Sequence, residues 1–226
     1  MLKAVLFDVD GTLLPMNEDQ FTKGYFGMLC KKLAPLGYKS EELVKVIWAG
    51  FQEMIKNDGS QTNEQVFWQC FERVYGKDKL KDAPLFADFY RNEFKQAKMF
   101  CGENPQAREV IDFVKAQGLK IILASNPVFP RDGMINRLGY INLNENDFDY
   151  ITSYETSHYS KPNPNFYQEI LDKNHLTADE VIYFGNSETE DREPASKVGI
   201  KSFLINNQGI KLEYIKNVIQ NEIKRG

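Results

Sequence analysis

At 226 residues, the chain is long enough to bury a sizeable core in one large domain or two small ones. Its content of 42% hydrophobic and 27% charged residues excludes a disordered or fibrous chain and fits an ordinary globular protein. The net charge of −4, with Lys31-Lys32 and Lys224-Arg225 too sparse to form a basic stripe, argues against a nucleic-acid partner, and no apolar run approaches a membrane span.

The first predicted element is a short strand, Ala4-Val5-Leu6-Phe7, whose unbroken apolar run suits a parallel sheet covered on both faces. It runs into Asp8-Val9-Asp10-Gly11-Thr12, two carboxylates two residues apart beside a glycine turn. Side chains at i and i+2 of an extended segment point the same way, so this reading gives Asp8 and Asp10 one shared site. One serves as nucleophile and the other as proton donor. Ligands of open α/β sheets bind beyond the carboxyl ends of the strands, where both acids stand. Asp-Gly is also a common turn, so the pair takes its meaning from the polar clusters farther along the chain.

The next hundred or so residues contain no strand-like run, and four helical periodicities fill them. Tyr25, Met28, Leu29 and Leu33 space a helix within 21–36. Leu43, Val46, Ile47 and Met54 space a second, with Ser40 as its expected N-cap. Thr62-Asn63-Glu64-Gln65 opens a third, carrying Val66, Phe67, Cys70, Phe71 and Val74. A fourth over 83–98 carries Leu85, Phe86, Phe89, Tyr90 and Phe94. Four helices on short turns pack as a bundle, with Trp48, Trp68, Phe71 and Phe86 mostly as packing material.

After Asn104-Pro105, helix and strand alternate. A helix over 105–117 starts at Pro105 and stops at Gly118. Strands follow at 119–124, 149–153, 180–185 and 201–205, with helices near 131–138, 163–174, 191–198 and 210–223. The fold class is therefore α/β, a Rossmann-like parallel sheet with helices on both faces and an inserted helical bundle. Residues 1–16 and 100–226 form the expected core domain and 17–99 the helical unit, with linkers at 14–18 and 99–104. Cys30, Cys70 and Cys101 are widely spaced and odd in number, which fits buried thiols in a reducing compartment. Asp8 and Asp10 interrupt the amino-terminal apolar stretch before a signal-peptide core forms, so a cytoplasmic location is expected.

Three more polar clusters lie at strand ends. Ser125-Asn126 follows Leu119–Ala124, Lys161-Pro162 follows Tyr150–Ser153 by a short loop, and Gly185-Asn186-Ser187, with Asp191 beyond, follows Val181–Phe184. Together with Asp8-x-Asp10 they resemble the four motifs of the haloacid dehalogenase-like hydrolase superfamily, in order and over nearly the whole chain. The resemblance implies a helical cap of the type inserted after the first strand, facing the active site across a hinge. It implies that Asp8 is a nucleophile forming an aspartyl-phosphate, while Asp10 protonates the leaving alcohol and then activates water. Ser125, Asn126 and Thr12 become substrate contacts, and Lys161 a fixed positive charge. Mg²⁺ is the implied cofactor, held by Asp8, the backbone oxygen of Asp10, Asn186 and Asp191.

The fourth motif departs from the family pattern, which has Gly-Asp followed by a second Asp. In Gly185-Asn186-Ser187-Glu188-Thr189-Glu190-Asp191 the second acid is present, but Asn186 stands in place of the first. An amide oxygen ligates Mg²⁺ without bringing charge, which lowers metal affinity unless Glu188, Glu190 or Asp191 compensates. The reading reached is a Mg²⁺-dependent phosphatase acting on a small phosphorylated metabolite. A dehalogenase lacks the second aspartate and the metal, so Asp10 and Gly11-Thr12 argue against it. A phosphomutase shares all four motifs, and a catalytically weak binding protein is supported by Asn186. His158 reads as a solvated loop residue and His175 as a helix end.

Overall fold

The computed structural model describes residues 1–205 and 211–225. Five strands among the described residues, β1 (Ala4–Phe7), β2 (Lys120–Leu123), β3 (Tyr150–Ile151), β4 (Val181–Gly185) and β5 (Lys201–Leu204), form a sheet of order β3-β2-β1-β4-β5. Every pairing is parallel, and β1 lies at the centre with Val5 in register with Ile121 on one side and Ile182 on the other. All the predicted strands are present, β1 with its predicted bounds and the other four trimmed. Chain order runs outward from β1 to β3, then returns to the opposite side of β1. That reversal creates a crevice at the carboxyl ends of β1 and β4.

The insertion between β1 and β2 holds α1 (Glu18–Leu33), α2 (Ser40–Ile55), α3 (Asn63–Tyr75) and α4 (Ala83–Arg91). The Asn17 side chain accepts from the Gln20 N–H, so α1 starts before the apolar spacing requires it. Pro35 stops α1 before residue 36, and Ala34–Leu36 continues as a 3₁₀ turn. Thr62 and Gln65 close a capping box over α3, as its opening tetrapeptide suggests. Two expectations need correction. Ser40 is the first helical residue of α2, and Lys39 occupies the cap position without a side-chain bond. The fourth helix ends at Arg91 instead of 98, because Asn92 leaves the helical conformation (φ −115°, ψ −78°) and Glu93–Phe100 follows as 3₁₀ structure.

The core supplies α5 (Pro105–Ala116), α6 (Arg131–Tyr140), α7 (Pro164–Asn174), α8 (Glu193–Lys197) and α9 (Ile215–Arg225). The helix expected over 191–198 is preceded by a π-helical turn, Glu188–Arg192, capped by Ser187. The start expected for the last helix, residue 210, lies outside the described residues. Alternation along the strands decides the layers. Val5, Phe7, Ile182 and Phe184 face α5 and α9, whereas Ala4, Leu6 and Tyr183 face Phe166 and Ile170 of α7.

The aromatic interior of the insertion is continuous with the first of these layers, through rings such as Tyr25, Phe94 and the core residue Phe129. Its two connections to the core run side by side, with Met16 bridged to Cys101 and the Gly102 N–H donating to Pro15 O at 2.7 Å. The amino end of α3 is bound to the core as well. Asn63, fully buried, donates from Nδ2 to Pro127 O (3.1 Å) and Ser160 Oγ (2.9 Å) and accepts from Asn57 Nδ2 (2.8 Å). No helix among the described residues is long and apolar enough to cross a membrane.

Candidate active site

Parallel strands that end at one edge bring Asp8, Ser125 and Asn186 together, and the loop after β3 adds Lys161. Lys161 is 2% exposed, and its ammonium donates to Asp8 Oδ1 (2.8 Å), Asp191 Oδ1 (2.7 Å) and the Tyr183 hydroxyl (2.8 Å). All three of its donors are therefore engaged. Burial pulls the Lys161 pKa down, but Asp8 and Asp191 outweigh it and hold the ammonium charged, above the ordinary lysine value. The opposite balance holds at Asp8. Desolvation dominates there, and with Asp191 and Asp10 nearby it raises the carboxyl above its usual range despite Lys161.

Asp191 is placed differently from its expected role as a metal ligand. Its Oδ1 takes Lys161 and the Tyr183 hydroxyl (2.5 Å), while its Oδ2 accepts the backbone N–H groups of Asn186 and Ser187, both at 2.9 Å. These donors override burial and hold its pKa below the usual carboxylate range. Glycine at 185 is what permits this folding back, since a Cβ there would sit 2.5 Å from Asp191 Cγ. With both oxygens occupied, Asp191 holds Lys161 and the Asn186-Ser187 turn in place.

Thr12 also differs from expectation. It is buried, does not line the cavity, and its hydroxyl lies 3.1 Å from Asp8 Oδ2 and 3.4 Å from Asn186 Oδ1. Its hydroxyl links the Asp8 carboxylate to the Asn186 amide. Asp10 lines the cavity, but its Oδ2 is paired with Arg137 of α6, while its Oδ1 is buried without a partner. Arg137 is 1% exposed and stacks on Phe129 at 4.3 Å. Sequence reasoning passed over Arg137, although a helix with Met134 and Leu138 inward carries residue 137 on the same face.

Asn126 Oδ1 accepts the Lys161 N–H at 3.2 Å, tying the second motif to the third. His158 is only partly solvated, its side chain 36% exposed and its Nδ1 2.6 Å from Glu169 of α7. His175 caps α7 in a left-handed conformation (φ 56°), which is the helix end expected of it.

A hard cation requires oxygen ligands. Asp8 Oδ2 and Asn186 Oδ1 both lie against the Thr12 hydroxyl, and Gly11 (φ +76°) brings its backbone so close that a Cβ would meet Asn186 Nδ2 at 2.3 Å. No cluster of three or more His, Cys, Asp or Glu among the described residues is arranged around a metal position. The side-chain donor set is thus one carboxylate and one amide oxygen. It fits Mg²⁺ that completes its shell with water and phosphate oxygens, with little protein charge.

These groups form the floor of a cavity of about 420 Å³. Over residues 5–205 the sequence matches the haloacid dehalogenase-like hydrolase family. The chain belongs to that family. The hydrolase is 30% identical over 201 residues to a phosphorylated carbohydrates phosphatase of Thermotoga maritima, covering 88% of this chain and 83% of the relative. It is 26% identical over 217 residues to a glyceraldehyde 3-phosphate phosphatase of Methanothermobacter thermautotrophicus, covering 92% and 87%. A HAD-family enzyme of Bacteroides thetaiotaomicron, solved with magnesium and inorganic phosphate, shares the fold at a TM-score of 0.53 and 15% identity, covering 91% of this chain and 95% of that one.

Proposed function

We propose that this hydrolase is a Mg²⁺-dependent phosphatase of a small phosphorylated metabolite, working through an aspartyl-phosphate on Asp8. The observation that carries the reading is the buried contact of Lys161 with Asp8 at the floor of the cavity. A fixed cation there offsets the repulsion between a carboxylate nucleophile and an anionic ester, and it needs no reorganisation during reaction. The names of the two phosphatase relatives and the magnesium complex of the Bacteroides enzyme support the same reading.

In the first step an Asp8 oxygen bonds to phosphorus, the ester P–O bond breaks, and the departing alkoxide takes a proton from Asp10. In the second step water attacks phosphorus, Asp10 takes the water proton, and the Asp8 acyl phosphate breaks to release phosphate. Ser125 and Asn126 line the phosphoryl end. Asp8, Asn186 and the Asp10 carbonyl would hold Mg²⁺, which would supply charge neutralisation. Arg137 holds Asp10 in place through Oδ2 and leaves Oδ1, which has no partner among the described residues, to carry the proton to the leaving oxygen and back from water. We place the domain division at 1–16 and 100–226 against 17–99, with the paired linkers around Met16 and Cys101 as the hinge through which substrate enters. Activity on p-nitrophenyl phosphate, abolished by chelation and by Asp8→Asn, is the expected result. Full activity after either treatment would refute the proposal.

A further inference from the structure

The cavity has two chemically distinct ends. Asp8, Asp10, Ser125, Asn126, Lys161 and Asn186 supply the polar floor. The wall across from it, built by α1, α2 and the loop before α6, presents Phe21, Phe26, Trp48, Phe51, Ile55 and Phe129. Tyr25 adds a ring to this wall, but its hydroxyl is spent on the Tyr90 hydroxyl at 2.7 Å. The rings brace one another. Trp48 meets Phe51 edge-on at 5.7 Å and Phe26 at 5.6 Å, and Phe51 lies 5.8 Å from Phe129. Trp48 is nonetheless 45% exposed, an apolar surface left open at a cavity wall.

The charges lining the cavity sharpen the choice. Lys161 is the cation among the lining residues, and Asp8 and Asp191 already hold it. The remaining charged side chains away from the floor are Glu18 and Glu190, both negative. A second phosphate or a carboxylate on the substrate would face these acids with no cation to receive it. Thr22, Ser187 and the two acids can pair a few hydroxyls at the margins, but a polyol chain lying along the rings themselves would leave most of its hydroxyls without a hydrogen bond.

We infer that the leaving group is an uncharged apolar alcohol, aromatic or branched aliphatic, so that the substrate is a monophosphate ester carrying one anionic group. This inference rests on the phosphatase reading above and narrows its substrate class. Apolar pockets reject an added hydroxyl by about 100-fold in kcat/KM, and several hydroxyls in a row meet the same wall.

The test compares benzyl phosphate with glycerol 3-phosphate, both esters of primary alcohols, and with a sugar bisphosphate, all with Mg²⁺ and the full-length protein. Benzyl phosphate is expected to be favoured by about 100-fold or more in kcat/KM over glycerol 3-phosphate, with the bisphosphate poorer still. Trp48→Gln, a change at a part-exposed site, is expected to narrow that preference about tenfold. Equal or better turnover of glycerol 3-phosphate or the bisphosphate overturns the inference while leaving the phosphatase reading intact. No turnover of any phosphoester, p-nitrophenyl phosphate included, overturns both.

Discussion

Replacing Asp10 with asparagine does more than remove a proton donor, because it takes away the carboxylate that Arg137 pairs with. Arg137 is 1% exposed and the Asp10 side chain 28%, so the pair is largely shielded from water. Breaking a buried ion pair by deleting one partner costs about 3–5 kcal/mol, since a charge is left behind without compensation. The asparagine amide oxygen still accepts from the guanidinium, and the Asp10 side chain is partly exposed, so about 2–3 kcal/mol is expected. Denaturant unfolding checks this through a lowered midpoint at unchanged slope. Arg137→Met leaves a carboxylate where Asn would leave a cation, and the double variant Asp10→Asn/Arg137→Met removes both. The double variant is expected to be less destabilised than the sum of the singles by at least about 1 kcal/mol. Turnover should be lost in both variants that lack Asp10. Arg137→Met should keep KM and lower kcat by about 10–100-fold, because Asp10 loses the contact that positions it. Stability of Asp10→Asn within about 0.5 kcal/mol of the parent, with additive singles, would refute this reasoning.

Asn63→Ala leaves Pro127 O, Ser160 Oγ and Asn57 Nδ2 each short of a partner at a fully buried site, so a loss of about 2–4 kcal/mol in denaturant unfolding is expected. Its kcat/KM should also fall, because Pro127 adjoins Asn126 and Ser160 adjoins Lys161. Asp147 accepts from both guanidinium nitrogens of Arg108 (2.8 and 2.6 Å), from Lys115 (2.6 Å) and from the Asn144 N–H (2.8 Å). Burial there is outweighed, and its pKa lies well below the usual aspartate range. A depressed pKa stabilises the fold above the unfolded value of about 3.9 and loses that contribution as pH falls toward the folded one. Asp147→Asn is therefore expected to cost about 2 kcal/mol at neutral pH, and denaturation at several pH values should show the difference closing below about pH 4. Asn186→Asp adds a charge beside Asp8 and should tighten Mg²⁺ binding by about 10–100-fold in calorimetry, or about 1–3 kcal/mol.

Strand positions were legible because each buried strand is a short apolar run, and the first motif because two acids follow such a run directly. The same directness fails for side chains that meet across the fold. Nothing within Ser160-Lys161-Pro162 shows that Lys161 will share Asp191 with Tyr183, since 22 residues separate the lysine from the tyrosine that completes the arrangement. The family resemblance implies a metal ligand at Asp191, but a π-helical turn folds it back onto the Asn186 and Ser187 amides. The resemblance also makes Thr12 a substrate contact, yet the turn points its hydroxyl at Asp8. The insertion's helices were readable from periodicity. Which of their aromatic residues face the cavity was not, because Trp48 and Trp68 sit at similar apolar spacings and only Trp48 lines the site, while Trp68 packs on Phe71 and Phe86. Helix spacing marks an apolar face without saying what that face meets.

The central claim is that phosphoryl transfer passes through Asp8. Rapid quenching of the protein during turnover of p-nitrophenyl phosphate, followed by borohydride reduction and peptide mass mapping, tests it directly. Borohydride converts an aspartyl-phosphate to homoserine, so the peptide spanning Leu2–Leu14 should carry that change at residue 8, dependent on substrate and absent in Asp8→Asn. Steady release of phosphate with the label on another residue, or with Asp8 unmodified at every quench time, would contradict the claim.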